Sequence, residues 1–297
     1  MSDTLQRFLF EDAAIRGELV QLDASWQAAL ERHDYPEAVR GPLGELLVAG
    51  VLLTATMKFE GNITLQVRGN GPISMLVVDC TPRRVPGEEG ALYHIRGMAL
   101  WQGEVPQGDL HCRFGDGSLV ITIDPGKGAQ RYQGVVALNG SSLADAIDDY
   151  LERSEQLPTR MWLRSDGQRA GGMLLQKMPT QVEDDDAWGR VTALAATVRD
   201  EELLQLAQQE LVHRLFHEED VRLFEHEPVA FHCHCSHERV ADSLRSLGHD
   251  EVLDILDKER RIEVTCHFCN KQYLFDAVDA EQLFAEQPQP PSGQTRH

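Results

Sequence analysis

Residues 232–275 read HCHCSHERVADSLRSLGHDEVLDILDKERRIEVTCHFCNKQYLF. Two close cysteine pairs, Cys233-His234-Cys235 and Cys266-His267-Phe268-Cys269, stand 30 residues apart. That spacing suits one tetrahedral Zn²⁺ per chain, closed by four thiolates. The residues between the pairs supply a small fold for the metal to nucleate. Val240, Leu244 and Leu247 share one helical face, Gly248 stops it, and Val252, Leu253 and Leu256 mark a second helix. Ile262 to Thr265 reads as a strand entering the second pair, and Tyr273 to Phe275 as one leaving it. His232, His234, His237 and His267 flank the cysteines, but four sulfurs already complete the shell, so the imidazoles read as solvent-facing or supporting groups. The first pair is unusual in having one intervening residue. Its disulfide would close a small, strained ring, and strained disulfides are labile and regulatory. A metal also keeps its sulfurs as thiolates, the form that oxidants attack.

Working outward, the chain divides by pattern. Residues 1–178 read as an α+β core with an antiparallel sheet. Gly44 to Met57 is a buried helix with Pro42 just ahead of it. Ile63 to Arg68, Ile73 to Asp79, Leu119 to Ile123 and Tyr132 to Leu138 alternate as strands. Ser142 caps a helix whose apolar positions Leu143, Ile147, Tyr150 and Leu151 share a face. Arg160 to Leu163 and Met173 to Gln176 form a hairpin around Asp166-Gly167. Residues 179–231 read as an acidic helical linker starting at Asp184-Asp185-Asp186. Trp188, Val191, Leu194, Ala195 and Val198 mark its first helix, and Leu204, Ala207, Leu211 and Leu215 its second. Between 181 and 227 stand 13 acidic and four basic residues, a charge of −9 that sets self-repulsion against docking by apolar faces. Residues 232–286 are the zinc-binding redox-switch module, and 287–297 a polar, Pro-rich tail expected to be disordered.

Composition removes several function classes. With 28 Lys and Arg against 48 Asp and Glu, the net charge is −20, which disfavours nucleic acid and anionic membranes as partners. The zinc module itself is acidic, with six basic and eight acidic side chains, unlike a zinc-ribbon nucleic-acid binder. The N-terminus has acidic residues where a signal peptide needs a basic start, and the apolar stretch Leu46 to Ala55 is too short to span a bilayer. The expected location is cytoplasmic, where six cysteines serve metal or redox chemistry rather than structural disulfides. Cys80 and Cys112 stand apart from the pairs and read as small apolar residues in or near the sheet. Asp124 to Gly128 lacks the spacing of a phosphate-binding loop. No nucleophile–base set emerges, so the chain reads as no enzyme. A thiol–disulfide oxidoreductase built on Cys266 and Cys269 is the enzymatic alternative, but such a motif normally opens a helix beside a βαβ unit.

In addition, the residues resemble the heat-shock protein 33 family of redox-regulated chaperones along almost the whole chain. The likeness rests on Arg7-Phe8, Arg16-Gly17-Glu18, Gly44-Glu45-Leu46-Leu47, Thr54 to Gly61, Tyr132 to Val136, Ser154 to Thr159 and Ala170-Gly171-Gly172. Farther on it rests on Leu215 to Arg222, Val264-Thr265 and the two cysteine motifs. The resemblance implies a reduced, zinc-bound, inactive monomer. It implies Cys233–Cys235 and Cys266–Cys269 disulfides on oxidation by hypochlorite, or by peroxide with heat, with zinc release and loss of linker structure. The active form, often a homodimer, then holds unfolding client proteins without ATP. Cys80 and Cys112 lie outside the family pattern.

Overall fold

The sequence sets long β-branched and aromatic strands around one apolar helix, and a computed structural model shows how they assemble. It describes residues 3–57, 61–84, 90–126, 130–154, 156–179 and 186–285. Lys58 to Glu60, Lys127 and Gly128, Glu155, Asp184 and Asp185, and the tail from Gln287 lie outside the described residues. Two compact units form, Met1–His232 and Cys233–His297.

The first unit begins with a hairpin of β1 (Thr4–Phe10) and β2 (Ile15–Leu22), then α1 (Ala24–Leu30) and α2 (Glu37–Thr56). A meander follows, made of β3 (Asn62–Gly69), β4 (Ile73–Arg83) and β5 (Leu92–Trp101). After the short α3 (Leu110–Phe114) come β6 (Gly117–Asp124), β7 (Tyr132–Ala137), α4 (Leu143–Ser154) and the hairpin β8 (Thr159–Ser165) with β9 (Ala170–Lys177). Three helices, α5 (Ala187–Ala195), α6 (Asp200–Gln205) and α7 (Gln208–Phe216), lead into β10 (Val221–Phe231). Among the described residues the strands form one ten-stranded sheet in the order β7-β6-β3-β4-β5-β10-β1-β2-β9-β8.

Alternation on the strands decides which face each element covers. On β2, Val20 and Leu22 turn to one face and Ile15 and Leu19 to the other; on β9, Leu174 opposes Met173 and Leu175. The first face carries α2, buried along nearly its whole length, with α4 beside it. Although α2 is apolar and long enough to cross a membrane, it lies mostly buried inside the protein. The second face carries α5 to α7. Phe216 packs on Phe8 and Phe10 at ring separations of 5.9 and 5.1 Å, within a cluster that adds Val191, Leu203, Leu211 and Leu215. Gly17 makes room there, since a Cβ on it would overlap the Phe8 ring across the hairpin.

Several expectations change in detail. Pro42 lies inside α2, not ahead of it, so the helix starts at Glu37 and loses the bond that residue 42 would donate to the Ala38 carbonyl. The second expected linker helix is two, α6 and α7, broken where Leu206 turns extended; Gln21 Nε2 donates to the freed carbonyls of Leu203 and Leu206 at 3.1 and 2.8 Å. The sheet is not purely antiparallel, because β10 pairs antiparallel with β1 but parallel with β5. Residues 221–231, read as helical linker, are therefore the strand that joins a five-stranded part of the sheet to a four-stranded part. Pro228 and the charges of that segment hide a strand from periodicity, and burial against distant partners overrides them.

A buried polar cluster locks this join. Arg7 Nη1 donates to Glu227 Oε1, Arg7 Nη2 donates to Tyr93 Oη at 2.6 Å, and Ala91 N donates to Glu227 Oε2 at 2.8 Å. Glu18 lies 3.9 Å from the Arg7 guanidinium, and its other oxygen has no hydrogen-bond partner among the described residues. Burial pushes the Glu18 carboxyl up to about 7, with Arg16 and Arg7 pulling the other way. A raised folded-state pKa means stability that is fullest below the unfolded value near 4.5 and is lost as pH rises through about 7. Relative to the native chain, Glu18→Gln should gain stability at pH 8 by roughly 1–3 kcal/mol and lose that gain by pH 5. Urea unfolding at the two pH values checks it; an equal difference at both would show that Glu18 does not titrate in the fold.

Candidate metal centre

In the second unit, α8 (His237–Leu247) starts where Ser236 Oγ accepts from Arg239 N at 3.2 Å, the usual N-cap arrangement. Gly248, at φ 98°, ends it, and α9 (His249–Glu259) follows. A hairpin of β11 (Ile262–Thr265) and β12 (Gln272–Phe275) and then α10 (Ala277–Ala285) complete the unit; α10 is not foreseen from sequence. Ala241, Leu244, Val252, Leu256, Ile262, Tyr273, Phe275 and Leu283 form its small core, with Cys235 and Cys266 packed against it. Leu247, expected on the apolar stripe, is instead exposed.

The hairpin presents the second cysteine pair. Cys266 N donates to Lys271 O at 2.9 Å and Asn270 N to Cys266 O at 2.8 Å, a tight loop that Asn270 closes in the left-handed conformation at φ 59°. Cys233 and Cys235 lie on the extended segment ahead of α8. The two pairs meet: the sulfurs of Cys233, Cys235, Cys266 and Cys269 all lie within 4.8 Å of one another. Two sulfur contacts run between the motifs, Cys233 to Cys266 at 3.7 Å and Cys235 to Cys269 at 3.3 Å. Four thiolates about 2.3 Å from a central zinc stand about 3.8 Å apart, so the cluster has the dimensions of a tetrahedral site. These four residues can hold a metal ion such as zinc, and no histidine nitrogen belongs to the group. His232 stacks on His94 at 4.4 Å and His237 on Phe275 at 4.4 Å, while His267 is exposed.

Tyr273 is the residue that the spacing does not reveal. Its hydroxyl donates to Cys235 Sγ at 3.1 Å from the strand that leaves the second pair. Its only signal in sequence is an aromatic with a polar tip four residues after Cys269. Burial resists ionisation of Cys235, but the hydrogen bonds from Tyr273, Cys269 and the other thiols outweigh it and bring this thiol down to about 7. Burial and the neighbouring sulfurs push Cys269 the opposite way. The pair thus divides one charge, as strongly interacting thiols do.

The two other cysteines differ from each other. Cys80 is fully buried on β4, where burial pushes its thiol up to about 12, so it is inert. Cys112 departs from the expectation of a small apolar residue in or near the sheet in that it is exposed, on α3, with Asp109 holding its thiol up.

Two measurements follow. Elemental analysis of the reduced chain should give one zinc per chain, and replacing any of the four clustered cysteines with Ser should abolish it; retention of the metal would exclude the site. Structural zinc of this kind contributes on the order of 10–16 kcal/mol of apparent binding energy, so chelation should unfold the second unit. In the zinc-loaded chain, Tyr273→Phe should weaken zinc binding by about tenfold or more, read by competition with a chelator. No change would remove Tyr273 from the electrostatics of the site.

Comparison with known proteins agrees with this geometry. Residues 3–276 match the family model described as Hsp33 protein. A 33 kDa chaperonin of Methylobacillus flagellatus is 49% identical over 300 residues, covering 100% of this chain and 99% of that protein. Another, of Nitrosococcus oceani, is 49% identical over 295 residues, covering 99% of each. The solved structure of the 33 kDa chaperonin of Thermotoga maritima has the same fold, at a TM-score of 0.78 and 23% identity, over 95% of this chain and 97% of that one. By sequence along its whole length and by fold, the chain belongs to the Hsp33 protein family.

Proposed function

We propose that the chain is a redox-regulated, ATP-independent holdase that prevents aggregation of unfolding proteins in the oxidatively stressed cytoplasm. Family membership supports the chaperone role. The observation that carries the regulation is the thiol cluster beginning two residues after β10, the strand that joins both halves of the sheet.

In the reduced state Cys233, Cys235, Cys266 and Cys269 would hold zinc, which supplies no catalysis and serves to keep the thiols ionised and the small unit folded. Oxidation forms Cys233–Cys235 and Cys266–Cys269. In each pair the two thiolates give up two electrons to hypochlorite or peroxide, which takes up protons from solvent as it is reduced to chloride and water or to water alone, and the sulfurs cease to be ligands. The cross-motif sulfur contacts do not decide the pairing, since all edges of a thiolate tetrahedron are equivalent. Closing bonds within each motif needs the least chain movement.

Residues 179–231 are the element that responds. Their charge of −9 opposes folding, and their apolar side chains repay it only while docked on Phe8, Phe10, Ile15, Leu19, Met173 and Leu175. A loss of a few kcal/mol at the C-terminal end of β10 tips such a balance. Undocking would uncover both apolar surfaces for clients, with a homodimer as the active assembly.

Light scattering of a heat-unfolding client checks this reading: the oxidised chain should suppress aggregation and the reduced, zinc-loaded chain should not. Hydrogen exchange should show α5 to α7 losing protection on oxidation while β3, β4 and β6 keep theirs; unchanged protection would defeat the mechanism. Leu211→Asp with Phe216→Asp buries two charges in the cover at a cost of about 3–5 kcal/mol or more, and should make the reduced chain active. The lowered Cys235 thiol also suits a thiol–disulfide oxidoreductase. Turnover in an insulin-reduction assay would favour that reading instead.

A further inference from the structure

The N-terminal turns of α2 line a polar cavity of about 650 Å³, closed by Gln107, by Arg113 of α3 and by the β8–β9 turn. It lies wholly within the first unit, with Asp200 at the start of α6 near enough to act on Glu45 electrostatically. Its charged groups are notable for not pairing. Glu45 makes no hydrogen bond and no ion pair among the described residues, although Arg113 and Arg164 are near enough to act on it electrostatically. Burial dominates there and drives its carboxyl up to about 7.

The cations on the same wall are equally unspent. Arg40 donates from Nε to the Tyr35 carbonyl at 2.8 Å, and its two terminal nitrogens have no partner among the described residues. Arg113 Nε is buried without an acceptor, and Nη2 reaches Gln107 Oε1 only at 3.4 Å. A carboxylate and two guanidiniums that share one cavity would normally satisfy one another. Here each is left with capacity for something else, and unmet polar groups of this kind call for a ligand.

The backbone of α2 is shaped in the same sense. Gly41 opens onto the cavity and a Cβ there would meet nothing within 4 Å, so no packing contact requires glycine at this helical position. Its neighbour Pro42 has no N–H, which leaves the carbonyl of Ala38, another lining residue, without its helical donor. Glycine and proline together weaken this helix just where it borders the cavity, clear space, and add an acceptor on the side of Glu45.

We propose that this cavity binds a free α-amino acid with a polar side chain, its ammonium group on Glu45 and the Ala38 carbonyl and its carboxylate on Arg40 and Arg113. A zwitterion satisfies both poles at once, whereas a simple amine or a dicarboxylate leaves one half-buried pole unmet. Polar lining groups, among them Gln107, Ser165 and Asp166, select a polar side chain over an aliphatic one. The site does not rest on the redox reading, and the reduced chain is the form in which it is tested.

The test is a melting-temperature screen of the reduced full-length chain against the twenty amino acids, putrescine and succinate, followed by calorimetric titration. At least one polar amino acid should raise the melting temperature, and putrescine and succinate should not. Glu45→Gln and Arg40→Gln should each weaken that binding tenfold or more. Gly41→Ala separates binding from folding: with open space for the methyl group it should melt above the native chain yet bind at least fivefold more weakly. A screen without a hit, an equal shift by putrescine or succinate, or native affinity in Glu45→Gln and Gly41→Ala would overturn the proposal.

Discussion

The two-sided hydrogen bonding of β10 is the constraint on which the rest depends. One edge pairs with β1 from Thr4↔Pro228 to Phe10↔Val221, and the other with β5 through Val229, Ala230 and Phe231. Without it the other nine strands are two smaller sheets with open edges, β1 on one and β5 on the other. The Arg7–Glu227 pair sits at this seam in a largely buried setting, where loss of one partner leaves an uncompensated charge and costs about 3–5 kcal/mol. A strand from the most acidic part of the chain thus holds the most central position. The fold tolerates this because Glu227 finds a guanidinium and a backbone amide, while the other charges of β10 stay exposed or half-exposed.

How far the sequence speaks for the structure depends on the range of the interactions involved. The thiol site is legible because its chemistry is local: each ligand pair lies on one loop, Gly248 and Ser236 delimit α8, and β11 and β12 are adjacent in sequence. The Ser142 cap of α4 is legible for the same reason, with Asp145 N donating to its Oγ at 3.1 Å. β10 is not, because what makes it a strand is two partners, one more than 200 residues away, and Pro228 argues against it locally. The early start of α2 is hidden because Gly41 and Pro42 read as breakers, and only burial of the whole helix outweighs them. The split between α6 and α7 depends on Gln21, a residue on β2 whose amide serves two helix-end carbonyls. The uncovered pole of Glu45 is similarly invisible, since nothing in Gly44-Glu45-Leu46-Leu47 says that the carboxylate lacks a partner.

The two faces of the β1-β2-β9-β8 half are built differently, and the difference assigns them different roles. Against α2 the packing is continuous and aliphatic, from Val39 to Ala55, with the fixed geometry of a core. Against α5 to α7 it is a cluster of aromatic and branched side chains under three short helices, each of nine residues or fewer. Short helices contribute little stability of their own and depend on docking. One face is therefore a continuous core and the other a docked layer of short helices, although both bury comparable kinds of side chain.

The pairing of β1 with β10 also has a consequence for how the protein is made. Thr4 leaves the ribosome more than 200 residues ahead of Pro228, so the inner edge of β1 has no native partner until those residues have followed. At translation rates of about 5–20 residues per second, that interval is on the order of ten to forty seconds. Throughout it the nascent chain carries Leu5, Phe8 and Phe10 on a strand with one open edge, a state in which polypeptides readily associate wrongly. Only after β10 has closed the sheet do the cysteines of the second unit emerge in full. A member of a chaperone family thus passes its own biogenesis in the condition of a client, and its clustered thiols follow only once the central strand has been made.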